Sequence, residues 1–305
     1  YLKIKLMKNI TVLILTFNTP ENIILDCLSS IDKNVKILIV ENSNSFTHED
    51  KVLSKFSNVK ILCTGKNLGY GGGNNFGIEE TKTDYILILN PDVICDKDFF
   101  NHLNDVIEKN KNFSIIGCQY LYDRVFMPAG FFNKKNNKKF VEDFKDDKIE
   151  ELTEVDWVTG CSMLLNITKF SNKKIFDENF FLYFEEFDLC KSLKDKGEKV
   201  YSSKKLKIHH LGFKSSFEDN SSYKKNINRM REWHWMWSSF YFYKKNYGYF
   251  FALNKIIGKF IRATLKIIYF SLTFNQIGKE KYKYRFLGIY NSILNKPSSF
   301  RDNID

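Results

Sequence analysis

The sequence predicts an α/β protein with a mostly parallel sheet flanked by helices, followed by a C-terminal appendage that is helical, basic and aromatic. Three observations predict this. Apolar runs of strand length alternate with helical patterns from Ile10 to Cys118, and such alternation marks βαβ units. Tyr85 to Leu89 is an apolar run without a break, as expected of a strand covered on both faces. Residues 220–305 hold 16 Lys/Arg against 4 Asp/Glu, whereas the preceding residues hold 31 against 32, so the net charge of +11 belongs to one appended surface.

The elements follow in order. Ile10 to Phe17 is a β-rich run, broken by Asn18-Thr19-Pro20 ahead of a helix whose apolar residues include Ile23, Ile24, Leu28 and Ile31. Val35 to Val40 is a second strand and ends at Glu41-Asn42-Ser43. A polar helix and a short strand over Val59 to Leu62 come next. The stretch from Asn67 to Val93, NLGYGGGNNFGIEETKTDYILILNPDV, then joins a glycine-rich loop to a helix, and that helix to strand 85–89. Asn90-Pro91-Asp92 stops the strand, because proline brings no N–H to the ladder. Asp92 therefore falls at the carboxyl edge of the sheet, where α/β folds bind ligands.

Gly69, Gly71, Gly72 and Gly73 allow backbone N–H groups to converge on an anion at a helix start. A loop for phosphate beside a carboxylate for metal suggests a nucleotide site, although a tight turn and a helix cap also account for these residues. Two familiar glycine loops fit less well. A P-loop continues Gly-Lys-Ser/Thr where this chain has Asn74-Asn75-Phe76, and the dinucleotide fingerprint follows the first strand, not a later one. A helix over 97–110 and a strand over 113–118 continue the alternation, while the lysine- and acid-rich residues 131–151 read as a mobile loop or insertion.

A second chemical cluster lies between Phe176 and Cys190. Glu185, Glu186 and Asp188 stand where a helix is expected to start, and the helix dipole alone favours acids there. Phe181, Tyr183, Phe184 and Phe187 surround them in sequence. Partial desolvation by these rings would raise a carboxyl pKa and suit it to general-base work. Strand 198–208 then delivers His209 and His210, either as packing residues or as a metal ligand.

Taken in order, Thr-Phe-Asn, Val-Glu-Asn-Ser, Asn-Leu-Gly, Leu-Asn-Pro-Asp-Val, Val-Thr-Gly-Cys-Ser-Met-Leu, the Phe-Asp-Glu to Asp-Leu-Cys run and His-x-Gly make the chain resemble the family-2 glycosyltransferases of GT-A fold, which is Rossmann-like. Within them it is most similar to the bacterial rhamnosyltransferase-like branch that builds surface polysaccharides such as O-antigen or capsule. The likeness covers residues 10–216, giving a catalytic domain over 1–219 and an extension over 220–305. It implies inverting, metal-dependent transfer from dTDP-rhamnose or a UDP-sugar to a lipid-linked or polysaccharide acceptor. By position, Thr16, Asn18 and Glu41 would hold base and ribose, and Asn67, Gly69, Gly71, Gly72 and Asn74 would lie near the nucleotide. Asp92 would bridge Mg²⁺ or Mn²⁺ to the diphosphate, with Asn90 in place of the motif's first acid and His210, or His209, as a further contact. Glu186 aligns with the usual catalytic aspartate; being one methylene longer, it leaves Glu185 and Asp188 as rivals for the base. A nucleotidyltransferase and a non-catalytic nucleotide-sugar or membrane-binding module remain the alternative classes.

In the extension, Lys255, Lys259, Arg262 and Lys266 share one face of a helix expected over 249–274, with apolar residues around the rest. Nine aromatic residues between Trp233 and Tyr249 precede it. The pattern suits association with an anionic membrane surface or an acceptor, or else a subdomain that packs the aromatics inward. No nucleic-acid-binding signature accompanies the charge. Six cysteines without a Cys-x-x-Cys pair suit buried thiols in a reducing compartment. Without a secretory signal, and with Met7 as a natural start after an upstream extension, the expected location is cytoplasmic, peripheral at the inner face of the cell membrane.

Overall fold

The structure is a computed structural model describing residues 7–120, 127–212 and 221–301; the expectations for Tyr1 to Leu6 and for residues 213–220 fall outside them. Two compact units result. One comprises Tyr1–Asn67, Gly73–Phe176 and Leu189–Ser216, the other Leu68–Gly72, Asp177–Asp188 and Phe217–Asp305. The second thus gathers two short pieces from before the expected boundary at residue 219.

Through the first part of the chain the elements are β1 (Ile10–Thr16), α1 (Glu21–Ser29), β2 (Lys36–Glu41), α2 (Glu49–Lys55), β3 (Val59–Cys63), α3 (Gly69–Glu80), β4 (Tyr85–Leu89), β5 (Val93–Cys95) and α4 (Phe99–Lys109). They continue with β6 (Ile115–Tyr120), β7 (Ala129–Gly130), α5 (Lys134–Lys145), β8 (Leu152–Glu154), β9 (Trp157–Val158), β10 (Ser162–Asn166), α6 (Glu185–Asp195) and β11 (Val200–His210). The sheet order is β3-β2-β1-β4-β10-β6-β11-β5, with β8 on β11. β3, β2, β1 and β4 are mutually parallel, and β11 runs parallel to β6. β10 inserts antiparallel between β4 and β6. Apolar side chains cover both faces, since Val12, Leu13 and Ile14 of β1 and Ile86, Leu87 and Leu89 of β4 are all fully buried.

Two expectations change here. The glycines form the opening turns of α3 instead of a loop. A Cβ at Gly73 would stand 2.4 Å from Leu15, and one at Gly77 2.4 Å from Leu13, so close helix–sheet approach is what these two positions require. Residues 131–151 are largely α5, whose N-cap Asn133 accepts from the backbone N–H of Lys135 and Asn136; Phe140 anchors it as a buried side chain. Lysine-rich composition concealed a helix whose one apolar face is narrow. None of the six cysteines, all among the described residues, forms a disulfide, and all but Cys63 are buried.

The second unit carries α7 (Ser221–Tyr247), α8 (Tyr249–Leu272) and α9 (Gln276–Ile293). Gly248, at φ 90°, makes the break between α7 and α8. Met236, Phe240, Ala252, Ile256 and Ile289 form the shared core. α9 lies so close to α7 that a Cβ on Gly288 would meet the Trp233 carbonyl oxygen at 2.2 Å. Among the described α7 aromatics, Trp233, Trp237, Phe240 and Phe242 are buried whereas Trp235 and Tyr247 are exposed, so part of that helix follows the subdomain reading. α8 differs, since Phe250, Ile257, Ile261, Leu265, Ile268 and Leu272 are all exposed. At 100° per residue these six fall on one stripe, apart from the side holding Lys255, Lys259, Arg262 and Lys266. Among the described residues no helix is long and apolar enough to cross a membrane.

Candidate active site

The residues singled out by sequence fall into two sets, one in each unit. In the first unit the parallel register places Thr16, the last residue of β1, beside Glu41, the last of β2. Glu41 is almost wholly buried. It accepts hydrogen bonds from the Thr16 hydroxyl at 2.6 Å, the Ser43 hydroxyl at 2.7 Å and the Asn18 backbone N–H at 3.2 Å. Asn18 adopts φ 49° to make that contact, a left-handed conformation asparagine tolerates better than most residues. Asn42 donates to Asn67 at 3.1 Å, tying the end of β2 to the residue ahead of the glycines. Ser43 was legible in the Val-Glu-Asn-Ser motif, though its service to Glu41 was not.

Asn90 and Asp92 form the turn between β4 and β5, with the Val93 N–H bonded to the Asn90 carbonyl at 3.1 Å. Asp92 is 2% exposed, and its Oδ1 has no hydrogen-bond donor among the described residues. His210 Nε2 stands 3.3 Å from that oxygen. β11 extends through both histidines, pairing His210 with Val93 and His209 with Ile94. Neighbouring strand residues point to opposite faces, so the Asp92 contact belongs to His210. Tyr120 stacks on the His210 ring at 5.9 Å and 16°, an orienting partner that the sequence did not signal. Gly71, Gly72 and Asn74 lie within the first turns of α3, Asn74 being fully buried.

In the second unit, Gly69 has φ +77°, and a Cβ there would lie 2.3 Å from the Phe181 carbonyl oxygen. That same oxygen accepts the Tyr70 N–H at 2.9 Å. The chain then enters α6 through Tyr183 and Phe184 at φ 70° and 71°. Two successive aromatic residues in the left-handed region cost about 1 kcal/mol or more apiece and persist only where the surroundings enforce them. Immediately after them come Glu185, Glu186 and Asp188.

These three carboxylates have different surroundings. Glu185 is 3% exposed with Oε2 unpartnered among the described residues; burial, and then the neighbouring Glu186, hold its pKa well above the ordinary value. Glu186 is only half-buried. Burial pushes it up to about 7, against backbone hydrogen bonds from Glu186 and Phe187 that favour the charged form. Asp188 has both oxygens engaged, one by Lys245 at 2.6 Å and the other by Asn246 at 3.0 Å. A carboxyl poised near neutrality and partly accessible can take a proton; one that is buried, or clamped by donors, is poorly placed to do so.

A family model described as glycosyl transferase family 2 matches residues 11–165, half of the chain. The chain belongs to glycosyl transferase family 2. Among curated relatives of this family-2 chain, the low-salt glycan biosynthesis hexosyltransferase Agl10 of Haloferax volcanii is 26% identical over 61% of the chain and 61% of its own length. Rhamnosyltransferase WbbL of Escherichia coli is 26% identical over 69% of the chain and 83% of its own length. The N-acetylglucosaminyl-diphospho-decaprenol L-rhamnosyltransferase of Mycobacterium tuberculosis is 24% identical over 59% and 67%. The expected rhamnosyltransferase-like branch agrees with these relatives, although the chain spans less than two thirds of the archaeal enzyme. Among solved structures, GalNAc-T7 with UDP, GalNAc and Mn²⁺ aligns with a TM-score of 0.52 at 12% identity, over 77% of this chain and 50% of that one. Staphylococcus aureus TarS 1-349 aligns with a TM-score of 0.50 at 11% identity, over 94% and 92%. At such identities the likeness concerns the fold, which is GT-A.

The GT-A family implies a divalent cation, and the residues present fit one in part. Asp92 offers a bare carboxylate oxygen and His210 an imidazole nitrogen beside it. Among the described residues no group of three His, Cys, Asp or Glu gathers to hold an ion. Two protein ligands suit Mg²⁺ or Mn²⁺ when phosphate oxygens and water complete the sphere.

Proposed function

We propose that the protein transfers a hexosyl or rhamnosyl unit, with inversion, from a dTDP- or UDP-linked sugar to a glycan or lipid-linked acceptor in bacterial cell-surface glycan synthesis. The observation that carries this reading is the bare Asp92 oxygen beside His210 at the sheet edge of a family-2 chain. In this reading Thr16, Asn18 and Glu41 bind base and ribose, and Asn67, Gly69, Gly71, Gly72 and Asn74 lie along the nucleotide. Asn90 and Asp92 stand at the diphosphate. Asp92 and His210 hold Mg²⁺ or Mn²⁺, which when bound neutralises charge on the leaving diphosphate. Glu186 accepts the proton of the acceptor hydroxyl as that oxygen attacks the anomeric carbon. Burial and the neighbouring Glu186 hold the Glu185 carboxyl well above its ordinary pKa, which lessens the negative charge that Glu186 faces beside it.

The acceptor reading includes a membrane. The stripe from Phe250 to Leu272 offers apolar side chains to the acyl boundary, and the cations of α8 and the excess charge of residues 220–305 favour anionic headgroups. This would hold the protein peripherally at the inner face of the cell membrane. A panel of nucleotide sugars, dTDP-rhamnose included, tested with Mn²⁺ for thermal stabilisation and for release of nucleoside diphosphate, checks the function. Release of pyrophosphate, or no stabilisation by any of them, would count against it.

A further inference from the structure

The extension beyond residue 220 reaches the candidate base helix through a polar cluster within the second unit. Lys245 of α7 places its ammonium 2.6 Å from Asp188 Oδ2 and 2.7 Å from Asp177 Oδ2. Asn246 donates to Asp188 Oδ1 at 3.0 Å, and the Tyr241 hydroxyl to Asp177 Oδ2 at 3.1 Å. The other Asp177 oxygen accepts the backbone and side-chain N–H groups of Asn179, at 3.0 and 2.8 Å. Phe180 lies beneath the ammonium at 5.9 Å from its ring centroid and packs edge-on against Tyr241. One cation therefore fastens both ends of the segment Asp177–Asp188, and the left-handed pair Tyr183 and Phe184 lies between the two attachment points.

The arrangement has the marks of a fixed element. Asp188 and Asp177 side chains are 5% and 16% exposed, so their pairing is less screened than a surface ion pair. Asp177 is held below the usual carboxylate range by Lys245 and Asn179 in spite of its burial, and Lys245 is held above its own ordinary value by the two carboxylates. Glu186 and Asp188 are two positions apart on a helix, hence on nearly opposite sides of it. A grip on Asp188 sets how the first turn is rotated, and with it the direction in which Glu186 faces.

We propose that Lys245 is a positioning residue, bridging Asp177 and Asp188 so that the segment between them presents Glu186 to the acceptor. This rests on Glu186 being the base. It gives the extension a part in the chemical step besides any membrane contact.

The test compares full-length Lys245→Met and Lys245→Arg with the wild-type protein, using dTDP-rhamnose and Mn²⁺ for turnover and amide hydrogen exchange over residues 177–188. Lys245→Met should lose about 100-fold in kcat, the scale of a base displaced by an ångström, with donor KM little changed, and Lys245→Arg should recover most of it. Exchange in the segment should quicken in the Met variant alone, while the sheet keeps its protection. The exchange readout applies whatever the donor, and unchanged exchange in Lys245→Met would overturn the proposal. So would unaltered kcat, or a loss that Arg fails to rescue. If Glu186→Gln keeps full turnover, the base assignment fails instead; a dead Glu186→Gln beside a normal Lys245→Met refutes positioning alone.

Discussion

Replacing Glu186 with glutamine preserves size and removes the proton acceptor. A positioned general base is worth about 100- to 10,000-fold, so the transition state should lose about 2.7 to 5.4 kcal/mol. The structure adds a pH signature. With burial setting Glu186 near 7, about half is ionised at that pH, and wild-type kcat should fall about tenfold for each pH unit below it and level off above. Glutamine should abolish that limb. It also separates chemistry from folding. A carboxyl whose pKa is raised on folding contributes stability that is whole below its unfolded value of about 4.3 and is lost as pH rises through about 7. At pH 8 the wild-type protein carries a half-buried carboxylate that the variant lacks, so Glu186→Gln should melt no lower there. Single-turnover transfer across pH 5.5 to 8.5, with donor affinity and melting temperature measured alongside, makes the test. Near-normal turnover with the acidic limb intact would refute the reasoning, and loss of turnover in Glu185→Gln or Asp188→Asn instead would move the base to those residues.

Asp92→Asn should keep the fold, yet lose the joint thermal stabilisation by Mn²⁺ and UDP or dTDP, which at a hundredfold excess over Kd amounts to about 2.7 kcal/mol in a competent site; equal stabilisation of variant and wild type would remove Asp92 from the metal. Gly73→Ala should destabilise by about 1 to 3 kcal/mol as its methyl meets Leu15, read as a lowered melting temperature, and an unshifted transition would show that the β1–α3 packing yields easily. On α8, Leu265→Ser should weaken binding to anionic vesicles about tenfold, because a buried leucine is worth about 1.5 to 3 kcal/mol; unchanged partitioning would detach the stripe from the membrane. Point substitution is the cleaner probe there, since deleting residues 249–305 would strip Ala252, Ile256 and Ile289 from the core they share with Phe240.

The strands could be read in sequence because each is an apolar run ended by a polar breaker, and the same breakers deposit Thr16, Glu41 and Asp92 at one edge of the sheet. Spacing of that kind survives in one dimension. The glycines misled because permissive backbone serves a loop and a tightly packed helix equally, and only Leu15 and Leu13 in space decide between them. α5 stayed hidden since Phe140 is its one fully buried apolar residue, too thin a stripe to register as a period. The aromatics of α7 looked interfacial by composition, whereas burial of Trp233 and Trp237 depends on α9 arriving from far along the chain. Lys245 is 57 positions from Asp188, and nothing local to either residue announces the pair.

The six thiols differ in a way a labelling chemist can use. Burial drives Cys27 up to about 12 and takes Cys95 and Cys118 higher still, so maleimides should pass them by in the native state. Cys63, at the end of β3 and in register with Glu41, is the partly accessible one. A single fluorophore could therefore be attached without first removing five native cysteines, beside the carboxylate assigned to the nucleotide. The unaltered protein supplies its own reporter of donor arrival, one that does not require the sugar to be known beforehand.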